Sequence, residues 1–200
     1  MIVKNEQDVI ARCLESVKNI VDEIIIVDTG SSDRTVEIAS HYTQNIYHFD
    51  WIDDFSAARN FSFSKATKEY ILWLDADDVI QPEHQKEFIT LKQTLPHTID
   101  VVMLPYDVAF DENNQAIHSY YRERLLKRES NFKWLGAVHE AIPPNGNVVF
   151  EKATVSHKKM HPSDPDRNIR IFEKLLSEGQ KLEPRQQFYY ARELYYHNRY

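Results

Sequence analysis

The stretch from Tyr70 to Asp78 constrains this chain most, because five apolar or aromatic residues lead directly into three closely spaced aspartates. A short continuous apolar run is typical of a strand buried on both faces, as in a parallel sheet. Asp75, Asp77 and Asp78 would then follow its carboxyl end, where α/β sheets bind ligands. Three close carboxylates repel one another, so the run predicts a divalent cation with oxygen ligands, Mg²⁺ or Mn²⁺. The alternative is a loop of solvated aspartates before a helix that begins at Pro82.

The first half of the chain alternates strands and helices four times, with short connections. This order predicts a doubly wound parallel sheet, in which right-handed crossovers place every strand end on one edge. Asp28 ends the second strand and would therefore share that edge with the aspartate cluster. The predicted strands cover residues 1–3, 23–28, 45–49 and 70–74. The predicted helices cover residues 5–19, 53–65 and 82–95, and Asn5 is the expected cap of the first. A fourth helix is predicted from a cap among residues 31–33 to residue 42.

The second half changes character. Strands are predicted over residues 100–106, 119–127, 132–134 and 148–157, with turns at 111–114 and 143–146, which indicates an antiparallel, loop-rich region. Two helical patterns follow Asp164 and resemble the start of a tetratricopeptide-type repeat. We therefore expect an α/β domain over residues 1–160 and a helical segment over residues 163–200. The very short first strand and the helical pattern that reaches Tyr200 indicate a fragment of a longer protein.

Composition excludes several classes of partner. The 200 residues are 42% hydrophobic, which is sufficient for a packed core. The net charge of -7, without a dense Lys/Arg patch, argues against nucleic acid as the partner. The single cysteine, Cys13, excludes a disulfide framework, suits a reducing compartment and is expected to be a buried structural thiol. No apolar run is long enough to span a membrane and no signal peptide is present, so we expect a cytoplasmic protein, with peripheral contact at the inner membrane face as an alternative.

Four motifs taken together resemble the family 2 nucleotide-sugar glycosyltransferases, which have a Rossmann-like GT-A fold. They are residues 1–6, 26–33, 58–60 and 74–78, the last of which resembles the DXD motif. A further motif, at residues 134–140, resembles a subgroup in which helical repeats follow the transferase domain. The resemblance implies an α/β GT-A domain with a mixed sheet and a short C-terminal helical extension.

The same resemblance implies an inverting, hexosyl-transferring enzyme that uses a divalent metal and a nucleotide-sugar donor, expected to be a UDP-sugar. The acceptor is open among glycans, peptides, lipid-linked glycans and small molecules, and a second copy of the chain is a candidate partner. One rival is a nucleotidyltransferase, although that class usually shows an early glycine-rich phosphate loop, which is absent here. The other rival is a non-catalytic nucleotide-binding or repeat-type interaction module.

The resemblance assigns roles to the acidic residues. Asp77 would hold the metal that bridges both phosphates and stabilises the leaving group. Asp75 would face the donor ribose or sugar, and Asp78 would contact the sugar or cap the next helix. Asp28 would accept a hydrogen bond from the base, unless it caps the helix that follows. Arg59 would pair with a donor phosphate or with an aspartate of the cluster, and the alternative is a structural salt bridge.

Other residues complete the predicted donor site. Asn5 and Glu6 would border the nucleotide, although Glu6 could be an ordinary first-turn acid of a helix. Val3 and Ala76 belong to the same cofactor-binding set. Trp134 and Tyr106 are candidates for stacking on a sugar ring, but packing in the core is the expected role of both.

The acceptor side requires a base, because an inverting displacement must remove a proton from the acceptor. Glu140 is the expected base, with Asp107 and Asp111 as rivals, and its alternative role is that of a surface acid near a hairpin. His157 is expected as a further metal ligand. His139 is a candidate for contact with the diphosphate or the acceptor, and the alternative for both histidines is a structural hydrogen bond.

Overall fold

The computed structural model describes residues 1–162 and 164–199, which form two hydrogen-bonded sheets with flanking helices. Ser163 and Tyr200, the two ends of the predicted helical segment, lie outside the described residues. The strands are β1 (Ile2–Val3), β2 (Ile26–Asp28), β3 (Ile46–His48), β4 (Tyr70–Leu72), β5 (Asp78–Val79), β6 (Val101–Phe110), β7 (Ala116–Lys127), β8 (Val148–Phe150) and β9 (Val155–His157). The helices are α1 (Ile10–Val17), α2 (Thr35–Ser40), α3 (Phe55–Ser64), α4 (Pro82–Thr94), α5 (Arg167–Ser177) and α6 (Pro184–Tyr196).

The first sheet joins β1, β2 and β3 in parallel, as the alternating pattern predicts. The helix α1 turns its apolar stripe, which includes the fully buried Cys13, toward the core. Cys13 is therefore the structural thiol that its helical position indicates. Because the three strands are parallel, the loops that follow β1 and β2 lie at the same edge of the sheet.

The second sheet is mixed, with the order β4-β7-β6-β9-β5 and with β8 beside β6. The prediction that β4 belongs to the parallel sheet is wrong, because β4 pairs antiparallel with β7 and Leu72 lies opposite Leu125. An apolar run is buried on both faces in either arrangement, so its composition does not reveal the direction of its neighbour. The three aspartates still follow this strand, and Asp78 begins β5.

Two further predictions in the second half are corrected. Residues 132–134 form no strand, since Phe132 and Trp134 instead lie in an aromatic cluster in which the Trp73 and Trp134 ring centroids are 4.8 Å apart. The predicted strand over residues 148–157 is divided into β8 and β9, both parallel to β6. Tertiary partners, which local alternation does not specify, determine both outcomes.

The helix boundaries show which end signals are reliable. Pro82 is the first residue of α4, as predicted, and the Asp54 side chain accepts a hydrogen bond from the Ala57 amide at the start of α3. The prediction that Asn5 caps the first helix is wrong, because α1 begins at Ile10 and Asn5 lies in the loop before it with a φ of 56°.

The two C-terminal helices, α5 and α6, lie against each other and form what we call the helical hairpin. It packs against the main domain through an apolar cluster that includes Ala137, Val138 and Phe172. None of the helices formed by the described residues combines the length and apolar character needed to cross a membrane.

Candidate active site

The loops after β1 and β2 are tied together by hydrogen bonds. The Asn5 amide donates to Ser31 Oγ at 3.0 Å, and the Ser32 amide donates to Asn5 Oδ1 at 2.8 Å. One residue further on, the Glu6 amide donates to Thr35 Oγ1 at 2.7 Å. The left-handed backbone of Asn5, which asparagine tolerates better than most residues, allows this contact. Asn5 therefore lies at the predicted edge, as part of the loop rather than as a helix cap.

Asp28 lies at the end of β2 and braces the loop that follows. Its carboxylate accepts hydrogen bonds from the amides of Gly30 and Ser31 at 3.1–3.2 Å. Since α2 begins only at Thr35, Asp28 is not a cap of that helix. The loop contacts hold the carboxylate at the edge of the sheet, and Oδ1, which accepts one of these hydrogen bonds, retains a further acceptor site.

Asp78 is fully buried, and its carboxylate is used inside the protein. Oδ2 accepts hydrogen bonds from Arg124 Nη1 at 2.9 Å and from the Asp75 amide at 3.0 Å, and Oδ1 accepts one from the Tyr106 hydroxyl at 2.9 Å. The expectation that Asp78 contacts the sugar or caps a helix is therefore wrong. Tyr106 packs in the core, which was its expected role, and its burial beside Asp78 raises the pKa of its hydroxyl.

Arg124 is a residue of this site that the sequence does not reveal. It is fully buried, and its guanidinium carbon lies 3.8 Å from the Trp73 ring centroid and 4.0 Å from that of Tyr106. The register between β6 and β7 shifts after Val102, which leaves Arg124 without a cross-strand partner in the ladder. Such an irregularity changes the direction of a side chain, so simple alternation does not predict that Arg124 faces Asp78.

Arg59 joins two acidic residues that are far apart in the sequence. Its Nη2 donates to Asp75 Oδ1 at 2.8 Å and its Nε donates to Glu140 Oε1 at 2.7 Å. The guanidinium also lies 4.7 Å from the centroid of the Trp134 ring, which is buried in the core as expected. Burial raises the pKa of Asp75, but the charges of Arg59, Arg124 and His157 and the hydrogen bond from Arg59 together lower it to about 2. Of the alternatives for Arg59, the structure thus contains the pairing with an aspartate of the cluster.

Asp77 and His157 form the open part of the cluster. His157 Nδ1 lies 3.4 Å from Asp77 Oδ1 and 3.2 Å from Asp78 Oδ1, and one ligand atom from each residue lies within 4.8 Å of the others. Burial raises the pKa of Asp77, and the negative charges of Asp75 and Asp78 raise it further despite His157. Since the oxygens of Asp78 already accept hydrogen bonds inside the protein, Asp77 and His157 are the members of this group, among the described residues, that could hold a metal.

Glu6 links the loop after β1 to the aspartate cluster electrostatically. Burial raises its pKa to about 7, and the charges of Asp77 and Asp75 contribute to the shift. Glu6 therefore lies near both aspartates, on the same rim as Asn5. The side chains of Val3 and Ala76 are buried in the apolar cluster below, so only their backbone atoms are suited to contact a ligand.

The other acceptor-side candidates lie in different places. Asp111 accepts hydrogen bonds from the Asn113 and Gln115 amides and so holds the turn between β6 and β7. Asp107 lies on β6 opposite Ser156 of β9. His139 is directed toward the helical hairpin, where its Nε2 lies 2.9 Å from Glu193 Oε1, so its side chain is engaged away from the aspartate cluster.

Comparison with known proteins identifies the family. Residues 1–151 match the family model described as Glycosyl transferase family 2. The chain belongs to this family. Among similar proteins, the SPbeta prophage-derived glycosyltransferase SunS of Bacillus subtilis is 33% identical over 98% of this chain and 48% of its own length. A TPR repeat-containing protein of Synechococcus elongatus is 54% identical over 71% of this chain and 34% of its own. The chain thus spans between a third and a half of the length of these two relatives.

Solved structures share the fold. TarS 1–349 of S. aureus, crystallised in complex with UDP-GlcNAc, superposes with a TM-score of 0.54 at 15% identity, covering 96% of this chain and 67% of that one. A mycobacterial protein superposes with a TM-score of 0.62 at 13% identity, covering 93% of this chain and 79% of that one. At this identity the likeness concerns the fold alone. It confirms the predicted α/β fold of the GT-A type, with its mixed sheet and short C-terminal helices.

Proposed function

We propose that this chain contains the catalytic domain, over residues 1–160, of an inverting, metal-dependent glycosyltransferase with a UDP-sugar donor. The observation that carries the proposal is the meeting of acidic and basic side chains from four separate segments at one site. Arg59 on α3 joins Asp75 of the cluster to Glu140, and His157 at the end of β9 lies beside Asp77. The family membership of the chain and the UDP-GlcNAc bound to TarS 1–349 support the choice of donor.

The donor would bind across the edge formed by the loops after β1 and β2. Asp28 would accept a hydrogen bond from the uracil N–H with an acceptor site that its loop contacts leave unused. Asn5 and Glu6 would border the nucleotide from the loop after β1. Asn5 is hydrogen-bonded to Ser31 and Ser32, and the Glu6 amide donates to Thr35 Oγ1. The backbone atoms of Val3 and Ala76 complete this side.

Asp77 and His157 would hold the divalent ion, Mn²⁺ or Mg²⁺. Five carboxylates, from Glu6, Glu140 and the three clustered aspartates, face two arginines at this site, which leaves an excess of negative charge. A cation relieves that repulsion. When bound, the ion supplies Lewis-acid stabilisation of the charge that develops on the departing diphosphate.

Glu140 would act as the base. Arg59 holds its Oε1, which leaves Oε2 to take the proton of the acceptor hydroxyl. The acceptor oxygen forms its bond to the anomeric carbon as the bond from that carbon to the diphosphate oxygen breaks, so the configuration inverts. The acceptor itself would be a glycan, a peptide or a lipid-linked glycan. The helical hairpin would begin a TPR-like extension, which the name of the Synechococcus relative supports.

Calorimetry tests this proposal. UDP with Mn²⁺ is expected to bind, and UDP with EDTA is expected to bind at least tenfold more weakly, because the ion that Asp77 and His157 would hold would supply positive charge to the diphosphate. A screen of nucleotide sugars, scored by hydrolysis with and without Mn²⁺, identifies the donor. Metal-dependent UDP binding without turnover of any donor would favour a non-catalytic nucleotide-binding module, and the absence of UDP binding would exclude the donor site.

A further inference from the structure

The segment over residues 134–142, which we call the Glu140 loop, directs two adjacent side chains to different parts of the molecule. Glu140 contacts Arg59 in the candidate active site, whereas His139 contacts α6 of the helical hairpin. His139 has a left-handed backbone with a φ of 52°. A non-glycine residue in this conformation costs about 1 kcal/mol or more, so contacts elsewhere must stabilise it.

The helical hairpin provides those contacts. The His139 ring is stacked on Tyr189, with the centroids 4.1 Å apart and the planes at 11°. Its Nε2 lies 2.9 Å from Glu193 Oε1, which also accepts a hydrogen bond from Asn168 Nδ2 at 3.1 Å. The Glu193 side chain is only 8% exposed. Its hydrogen bonds to His139 and Asn168 lower its pKa although burial opposes this. The buried Glu193 carboxylate is thus paired with two side chains, and one of them, His139, lies in the Glu140 loop.

The helical hairpin also contacts the chain that leads into α3, the helix that carries Arg59. Lys174 Nζ on α5 donates to Asp53 Oδ2 at 2.6 Å and to the Ile52 carbonyl at 3.3 Å. The amide of Phe55, the first residue of α3, donates to the Ala137 carbonyl in the Glu140 loop at 2.8 Å. Both members of the Arg59–Glu140 pair are therefore connected to the helical hairpin by their own segments.

We infer that the helical hairpin determines part of the geometry of the active site, and that Glu193 is a positioning residue that acts through His139 to place Glu140 against Arg59. Without the Glu193 carboxylate, His139 loses the partner that offsets its backbone strain, and the Glu140 loop relaxes. The structural part of this inference stands on the contacts alone, whereas its catalytic consequence rests on the proposed function.

Hydrogen–deuterium exchange tests the structural part without any assay of activity. In Glu193→Leu, which removes the oxygen that accepts from His139 and Asn168, peptides covering residues 134–142 and 51–59 are expected to exchange at least tenfold faster, while peptides of β1 to β3 are unchanged. Glu178→Leu is the matched control, because Glu178 lies on the same hairpin but is exposed. His139→Asn is the second variant, since asparagine tolerates the left-handed backbone but lacks the ring. Unchanged exchange of the Glu140 loop in both variants, or faster exchange throughout the chain, would overturn the inference.

Steady-state kinetics tests the catalytic part with the donor identified by the screen. In Glu193→Leu, kcat is expected to fall by about tenfold to a hundredfold through misplacement of Glu140, while the donor KM and the affinity for UDP with Mn²⁺ stay the same. The double variant Glu193→Leu/Glu140→Gln should be no slower than Glu140→Gln alone. A rise in donor KM without a fall in kcat, or multiplicative losses in the double variant, would contradict the positioning role. Failure of the wild-type chain to turn over any donor would instead refute the proposed function and leave the exchange result to decide the structural part.

Discussion

The aspartate cluster has a buried end and an open end, and two adjacent residues lie on opposite sides of that division. Asp78 is fully buried and shares its oxygens among Arg124, Tyr106, His157 and the Asp75 amide. Asp77 is partly exposed, and its carboxylate lies beside His157. In the sequence the two residues look equivalent. In the structure one is an internal anchor, and the other is free to accept a ligand.

This difference shows which carboxylate of an acidic cluster is available for ligand binding or catalysis. A buried charge is costly unless its partners satisfy it, so the residues around Asp78 are explained by the requirements of folding. The Asp78 side chain fixes the Asp75 amide and thereby determines the path of the loop that presents Asp77. The open end therefore depends on the buried end for its geometry, and variants at the two ends should separate activity from stability.

The largest expected effect is the loss of activity in Asp77→Asn. The neutral amide is a poor metal ligand, so metal-dependent donor turnover should fall by about a thousandfold or more. The control is Asp22→Asn, because Asp22 is exposed and precedes β2, at the edge away from the cluster. Turnover that persists in Asp77→Asn, measured with saturating Mn²⁺, would contradict the assignment of Asp77 as the metal ligand.

The next effect should appear in stability rather than in metal binding. Asp78→Asn leaves the buried Arg124 without its counter-charge and should lower the free energy of unfolding by about 3 kcal/mol, measured by urea denaturation. Asp77→Asn is the matched variant one residue away, and it should change stability by less than about 0.5 kcal/mol. Equal destabilisation by the two variants would remove the distinction between the two ends.

A smaller effect on rate is expected for Glu140→Gln. Glutamine preserves the shape of the side chain and a hydrogen bond from Arg59 but does not accept the proton, so kcat should fall by about a hundredfold. UDP binding with Mn²⁺ should be unchanged in calorimetry. If Asp107→Asn lowers kcat more than Glu140→Gln does, Asp107 is the better candidate for the base.

The smallest expected effect is a pH-dependent change in stability at Glu6. The pKa of Glu6 is about 7 in the folded chain, above its ordinary value of 4.5, so the folded state binds the proton more tightly than the unfolded state. The contribution of Glu6 to stability is therefore complete below pH 4.5 and is lost as the pH rises through 7. Glu6→Gln remains neutral, so in metal-free buffer its Tm should exceed that of the wild type at pH 8 and match it at pH 4. A wild-type chain that is the more stable of the two at pH 8 would contradict this.

Part of the site's location could be predicted from the sequence. The apolar run that ends in Asp28 marks a strand end, and parallel connectivity places the loops after β1 and β2 on one edge, where hydrogen bonds join them. The aspartate cluster follows β4, which belongs to the second sheet, so parallel connectivity does not account for its position. The pairing of Arg59 with an aspartate of the cluster was one of three roles that the sequence left open.

The different environments of the site residues could not be predicted, because they depend on tertiary geometry. Burial, which spacing does not encode, distinguishes Asp78 from Asp77. The irregular register near Arg124 directs a charged side chain into the core against the local alternation. The left-handed backbone at His139 sends that ring toward α6, although its sequence neighbour Glu140 lies in the site.

The position of Arg59 between Asp75 and Glu140 has a consequence for the charges at the site. One guanidinium is the shared counter-charge of Asp75 and Glu140. In the proposed reaction, a proton taken up by Glu140 would leave Arg59 with Asp75 as its remaining anionic partner, and loss of that proton would restore the shared pairing. A change of charge at the proposed base would therefore alter the electrostatic environment of Asp75 through a single side chain.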